Sequence, residues 1–315
     1  MRILVIGAGA TGSLFGARLA SAGESVLLVG RAEHVTAVRA RGLVVEGVDP
    51  GTYRLEAVTQ VGAGVRAEAA LLTVKSFDLA SAATELGRAT SPIPTALLGN
   101  GLGIEETALD ALRAAGWPEP ERSIVRIVHT IPATFLGAGR VRASGAGDVI
   151  LPAPDPAGPA AYALETFATL FVRGGFSVRR SSTFEREVWR KALVNAAVNP
   201  VTALRRVPNG ALLSGEARAE AELLLGEALA VARRAGVKLE FSETVADLER
   251  VVRATAENRS SMLQDVERGR PTEIEAISGE ILRRGRAFGL ELPATERVVA
   301  ELSGRNERGR TTAKR

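Results

Sequence analysis

An α/β half followed by an all-helical half is the fold this sequence predicts, on three observations. Short apolar runs alternate with Ala-rich helical stretches up to about residue 180, the pattern of a parallel sheet covered by helices. Beyond residue 183 the strand signals stop and helical periodicity takes over. The 315 residues suit two domains, because a single core stops growing beyond about 250–300 residues.

The elements follow in order. Residues 3–6 read as a strand, 10–22 as a helix stopped by Gly23, and 25–29 as a second strand, a compact βαβ unit. Further strands are expected at 70–74, 95–98 and 123–128, with an inserted hairpin from 43–46 and 53–58. A Gly-punctuated hairpin over 137–151 closes the sheet region, followed by a helix to about Arg173 and a short extended run at 177–179. Helical blocks then fall at 184–203, 211–235, 243–268 and 273–287, separated by Gly and Pro. The domains are therefore expected at 1–180 and 181–303, with a basic, flexible tail at 304–315.

Composition removes several function classes. Absence of Cys excludes thiolate chemistry and Cys-built zinc sites, and two histidines, His34 and His129, leave no basis for a His-rich metal site. The tail carries Arg305, Arg308, Arg310, Lys314 and Arg315 against Glu307, which accounts for the whole formal charge of +4. A charge-balanced body with 4% aromatics argues against a nucleic-acid partner. The uncharged run 3–17 contains Gly7, Gly9, Gly12 and Gly16, which make a poor apolar helix, so neither a signal peptide nor a membrane partner is expected and the expected location is cytoplasmic.

Gly7-Ala8-Gly9-Ala10-Thr11-Gly12 is a G-x-G-x-x-G segment between a strand and a helix. Gly7 suits the tight turn, Gly9 the approach of a pyrophosphate to the helix N-terminus, and Gly12 close helix–strand packing. The first half is thus expected to be a Rossmann-type dinucleotide-binding domain. The second strand ends at Val29-Gly30-Arg31 rather than in an acid, and a guanidinium there would pair with a 2′-phosphate, favouring NADPH/NADP+. Lys75, after the strand ending at Val74, is read either as a second cation for that phosphate or as a solvated side chain.

Within the apolar helix after residue 184, Lys191, Asn195 and Asn199 recur every fourth residue and share one face. Polar groups in a buried helix cost free energy unless paired, so the stripe calls for a ligand or an internal network, unless it faces water. Only four of the 40 basic residues are Lys; an ammonium can surrender a proton where a guanidinium effectively cannot, which singles out Lys191 as a general acid. Downstream, Asn258, Ser261 and Asp265 are expected on one helix face. Pro271 suits the first position of the next helix, and Glu273 its first turn, where a carboxylate is favoured with or without a catalytic duty.

Together these residues resemble the ketopantoate reductase family over nearly the whole chain except the basic tail. The resemblance rests on Gly7 to Gly12, Gly30-Arg31, Val74-Lys75, Gly99-Asn100-Gly101-Leu102-Gly103 and residues 191–202, and most specifically on Pro208-Asn209-Gly210, residues 258–265 and residues 270–275. It implies NADPH-dependent reduction of 2-dehydropantoate to (R)-pantoate on the way to pantothenate and coenzyme A. It implies Lys191 as proton donor, Glu273 as its carboxylate partner, and Asn100, Asn195, Asn199, Asn258 and Ser261 around the substrate. For the cofactor it implies Gly7, Gly9, Ala10, Thr11, Gly12, Arg31, Lys75 and Asn100. Two stretches depart from the family pattern: Gly99 stands where Gln is expected, and residues 129–135 replace a small polar run. The alternatives are a reductase of another branched 2-oxo acid and a regulatory NADP-binding protein without turnover. The hydrophobic helical half, 181–303, is the expected substrate and dimerisation domain, compatible with a homodimer.

Overall fold

The computed structural model describes residues 1–312, with side chains described through Gly304. The chain divides into two compact units, one comprising Met1–Gly99 and Ile104–Phe184, the other Asn100–Gly103 and the chain from Glu185 onward.

The first unit is built on β1 (Arg2–Ile6), α1 (Ala10–Ser21), β2 (Ser25–Val29), α2 (Ala32–Arg41), β3 (Leu43–Gly47), β4 (Gly51–Tyr53), β5 (Glu56–Val58), β6 (Ala69–Leu72), α3 (Leu79–Ala89), β7 (Thr95–Leu97), α4 (Ile104–Ala114) and β8 (Ile124–Arg126). It continues through β9 (Val128–His129), β10 (Ala133–Gly137), β11 (Arg140–Ala143), β12 (Asp148–Pro152), α5 (Ala161–Arg173) and β13 (Ser177–Ser181). Its main sheet runs β5-β2-β1-β6-β7-β8, every pairing parallel. That order, stepping outward from a central β1 in both directions, is the doubly wound Rossmann arrangement, with its switch point between β1 and β6.

Strand periodicity sorts the core onto the two faces of this sheet. Ile3, Val5, Val26, Leu28 and Leu71 join Phe15 of α1 and Phe167 and Phe171 of α5 on one side. Leu4, Ile6, Leu27, Val29 and Leu72 join Leu79 and Leu86 of α3 and Ala108 and Leu112 of α4 on the other. The first side is finished in aromatics, with Phe15 stacked on Phe176 at 4.4 Å between ring centroids and edge-on to Phe171 at 5.6 Å.

Two of the expected hairpins are assembled differently. β3 does turn back on β4, through Gly47 and Asp49 at positive φ. The run 53–58, however, divides: Tyr53 closes that hairpin, whereas β5 crosses to pair in parallel with β2. The second hairpin is β10–β11, and β12 leaves it to lie between β9 and β13 in a separate sheet.

His34 fastens α2 to this framework. The Gly139 N–H donates to His34 Nδ1 at 3.0 Å, so that nitrogen is unprotonated and Nε2 carries the hydrogen towards Ser13 Oγ, 3.1 Å away. Burial holds the imidazole pKa below its ordinary 6.5. The neutral ring is the folded form, so stability is full above pH 6.5 and declines below it, as the unfolded chain takes up the proton first. The decline stops growing below the folded pKa, and its slope is at most about 1.4 kcal/mol per pH unit for one proton. Thermal unfolding between pH 7.5 and 5.5 is expected to show a falling midpoint in the wild type and a flatter profile in His34→Gln; equal slopes would remove His34 as the cause.

The second unit contains α6 (Phe184–Arg205, shared across the division at Glu185), α7 (Gly215–Arg234), α8 (Phe241–Ala254), α9 (Ser261–Glu267), a π-helical turn at Glu275–Gly279, α10 (Glu280–Ala287) and α11 (Pro293–Thr312). Two forked ion pairs bolt α6 to α8: Arg186 donates to both oxygens of Glu243 at 2.5 and 2.7 Å, and Arg190 to both oxygens of Asp247 at 2.6 Å. The Glu227 carboxylate of α7 caps α11, accepting the Ala294 and Thr295 N–H groups at 2.9 and 2.7 Å.

The expected block 243–268 is two helices, parted between Ala254 and Ser261, and the block 273–287 opens on the π-turn. Helix α11 continues through Thr312, so the backbone of the segment expected as a flexible tail is helical there; residues 313–315 lie outside those described. Arg, its most frequent residue, is a good helix former. Among the described residues no helix is long and apolar enough to cross a membrane.

Candidate active site

In the first unit, the phosphate-loop residues and both expected cations sit at the carboxyl ends of three adjacent strands. β1 leads into Gly7, β2 into Gly30-Arg31 and β6 into Thr73, Val74 and Lys75. The Gly7 and Ala8 N–H groups donate to Val29 O at 3.0 and 2.9 Å, and Thr73 Oγ1 donates to Gly7 O at 2.8 Å. This fixes the loop on both flanks.

The glycines divide by what surrounds them. Gly7 has φ +109°, and a Cβ there would lie 2.5 Å from Val74 N; at Gly12 it would lie 2.3 Å from Gly7 O and 2.4 Å from Thr73 Oγ1. Both are demanded by the fold. At Gly9 a Cβ would meet nothing nearer than Gly7 O at 4.0 Å, so internal packing does not require a glycine there.

Helix α1, which contains Ala10, Thr11 and Gly12, starts with no side-chain cap and no acid in its first turn. Its first N–H groups and dipole are therefore presented to whatever lies beyond Gly9, a cradle that fits the pyrophosphate of a dinucleotide. Arg31 is exposed at the N-cap of α2, and no described residue forms an ion pair with it. Lys75 precedes a short 3₁₀ turn and is half-buried.

Sequence reasoning missed Gly30 as a packing residue. A Cβ there would come within 2.7 Å of Ala8 Cβ, so a larger residue would push the loop off β2. It also missed Thr73, whose only signal is a hydroxyl at the end of an apolar strand.

In the second unit, Lys191, Asn195 and Asn199 lie along one side of α6, the first two half-buried and Asn199 buried. Pro200 follows inside the helix and has no N–H to give the Ala196 carbonyl. Glu273 is 4% exposed. Its helix begins one residue after it, so Glu273 stands at the entrance rather than in the first turn, its carbonyl accepting the Ile277 N–H at 3.0 Å. Asn100 Nδ2 donates to Glu273 Oε2 at 3.4 Å.

That contact depends on glycine. Gly101, at φ +91°, approaches the π-turn so closely that a Cβ would sit 2.4 Å from Ala276 O. Asn100 and Glu273, 173 residues apart in sequence, are thereby joined. π-turns recur at functional sites because the extra residue redirects side chains.

Asn258 and Ser261 do not share a helix face. Asn258 lies in the connection ahead of α9, its carbonyl accepting the Asn209 N–H at 2.9 Å, while Ser261 opens α9 behind the Ser260 cap and is exposed. Asp265 is buried later in α9. Among the described residues no group of three or more His, Cys, Asp or Glu side chains could hold a metal ion.

The chain matches the family described as "Ketopantoate reductase PanE/ApbA" over residues 3–156 and its C-terminal partner, "Ketopantoate reductase PanE/ApbA C terminal", over residues 183–306. It belongs to the ketopantoate reductase family. Two relatives named 2-dehydropantoate 2-reductase carry the match along the chain. That from Archaeoglobus fulgidus is 32% identical, covering 96% of each chain, and that from Halobacterium salinarum is 35% identical, covering 96% of this chain and 97% of the relative.

Among solved structures, the PanE/ApbA family ketopantoate reductase from Ralstonia eutropha superposes with TM-score 0.84 at 29% identity, covering 98% of this chain and all of the other. D-mandelate dehydrogenase with NADH and anilino(oxo)acetate superposes with TM-score 0.89 at 25% identity, covering 98% and 99%. This ketopantoate reductase family member is thus an oxidoreductase of a nicotinamide-dinucleotide-dependent family. The reading as a regulatory protein without turnover is set aside.

Proposed function

We propose that the chain reduces 2-dehydropantoate to (R)-pantoate with NADPH, Lys191 serving as the proton donor. The observation that carries the proposal is the pairing of the buried Glu273 with Asn100, in the same unit as the Lys191, Asn195 and Asn199 stripe. Relatives of the same name extend over almost the full chain.

Reduction of a C2 carbonyl builds negative charge on its oxygen, which an ammonium both stabilises and protonates. Glu273 is assigned as the carboxylate partner of Lys191. Asn100, Asn195, Asn199, Asn258 and Ser261 bind the substrate carboxylate and hydroxyl through neutral hydrogen bonds, which orient without fully neutralising. A bound nicotinamide supplies the hydride.

The phosphate end of the cofactor is assigned to Arg31, with Lys75 as the second cation. Hydrogen bonds to charged groups contribute about 1.5–3 kcal/mol. Arg31→Ala is therefore expected to weaken NADPH by about 10–100-fold and leave NADH within about threefold; equal losses for both would reject the NADP assignment.

A second reading is favoured by the likeness to D-mandelate dehydrogenase with NADH and anilino(oxo)acetate: the same machinery acting on another branched 2-oxo acid. The deciding experiment is loss of NADPH absorbance with 2-dehydropantoate beside a panel of branched and aromatic 2-oxo acids. Highest kcat/KM on 2-dehydropantoate is expected. Highest kcat/KM on another member would transfer the assignment to that acid.

A further inference from the structure

A hydroxyl pair outside the polar stripe links two parts of the second unit that carry its substrate residues. Thr202, fully buried on α6, lies 2.7 Å from Ser260, 6% exposed, through Oγ1 and Oγ. Thr202 Oγ1 is also 2.8 Å from Val198 O and 3.1 Å from Asn199 O, and the Leu263 N–H donates to Ser260 Oγ at 3.1 Å.

The direction of each bond follows from the inventory of donors. A peptide N–H can only donate and a carbonyl can only accept, whereas each hydroxyl has one hydrogen. Ser260 accepts from Leu263 and gives its hydrogen to Thr202, which gives its own to the carbonyls of α6. The chain of bonds is complete in a dry place, where breaking one member strands another.

Its position gives it consequence. Two residues earlier on α6, Pro200 deprives the Ala196 carbonyl of its helical partner, and Thr202 holds the Val198 and Asn199 carbonyls. At the other end, Ser260 stands between Asn258 and Ser261. Asn258 is fastened separately, its carbonyl accepting the Asn209 N–H.

We propose that Thr202 and Ser260 are positioning residues that hold the Asn258–Ser261 segment in register with the Asn195–Asn199 face of α6, and so set recognition of the 2-oxo acid rather than of the nucleotide. This rests on the substrate reading above. Thr202→Val keeps the shape and removes the hydroxyl; Thr202→Ser keeps the hydroxyl.

Thr202→Val is expected to raise KM for the 2-oxo acid about tenfold, with KM for NADPH within twofold, and Thr202→Ser to restore it. Ser260→Ala combined with Thr202→Val is expected to add little to either change alone. A lowered melting temperature with an unchanged oxo-acid KM, or equal damage in Thr202→Ser, overturns the proposal. Amide hydrogen exchange over residues 256–264 reads the tether without turnover: faster exchange is expected in Thr202→Val but not in Thr202→Ser, and unchanged exchange overturns the proposal. Wild-type protein that reduces no 2-oxo acid defeats the substrate reading instead, and the exchange result then decides the tether by itself.

Discussion

Lys191→Ala is expected to lower kcat by about 10²–10⁴-fold, the range contributed by a positioned general acid, while the affinity for NADPH changes less than threefold. The asymmetry follows from the division of labour between the units: the phosphate loop belongs to the first, and Lys191 to the second. Single-turnover oxidation of NADPH separates chemistry from binding, and tryptophan fluorescence titration reads the cofactor alone. Lys191→Arg is the sharper variant. It preserves charge but gives up no proton, so substrate binding should survive better than in Lys191→Ala while turnover stays low. Turnover above one tenth of wild type in Lys191→Ala would remove it from the role of donor.

The phosphate loop yields the second large effect, through a contrast between glycines. Gly9→Ala places its methyl in space that no neighbour within 4.0 Å claims, apart from Gly7 O at that distance. Its melting temperature should match wild type within about two degrees. The same methyl occupies the approach of the pyrophosphate and costs contacts to charged oxygens, so dinucleotide affinity should fall about 10–100-fold. Gly12→Ala inverts the pattern, because its methyl would meet Gly7 O at 2.3 Å. Overpacking of that kind costs about 1–3 kcal/mol of stability, with affinity falling as a consequence. Calorimetry paired with cofactor titration separates the two, and an unchanged affinity in Gly9→Ala would place the phosphates elsewhere.

What could be read from the sequence was what local chemistry decides. β1, α1 and β2 announce themselves because apolar runs, a glycine loop and a Gly stop all lie within 30 residues. β5 does not, since three residues carry no period and their partner is β2, 29 positions back along the chain at every pair from Leu27–Glu56 to Val29–Val58. The break between α8 and α9 contains no Gly or Pro. It exists because a remote segment supplies partners: Asn209 N–H to Asn258 O, Gly210 N–H to Ala256 O, and Asn209 Nδ2 to Thr255 Oγ1 at 2.9 Å each. Helix α11 is likewise capped from afar by Glu227. In the site, spacing identified the α6 stripe, because helical period is local. The meeting of Asn100 with Glu273 was not legible, because it depends on a π-turn and on a glycine whose constraint lies across the fold.

The four residues Asn100–Gly103 belong to the second unit although their chain neighbours on both sides belong to the first. The helical half is therefore discontinuous in the gene, and it cannot be moved as one block. A recombinant that exchanges only the C-terminal half between two relatives leaves this tetrapeptide with its old host, setting one parent's Gly101 against the other parent's π-turn. Such hybrids should work when residues 100–103 travel with the helices and fail when they do not, which makes those four codons part of the inheritance of a domain they do not adjoin.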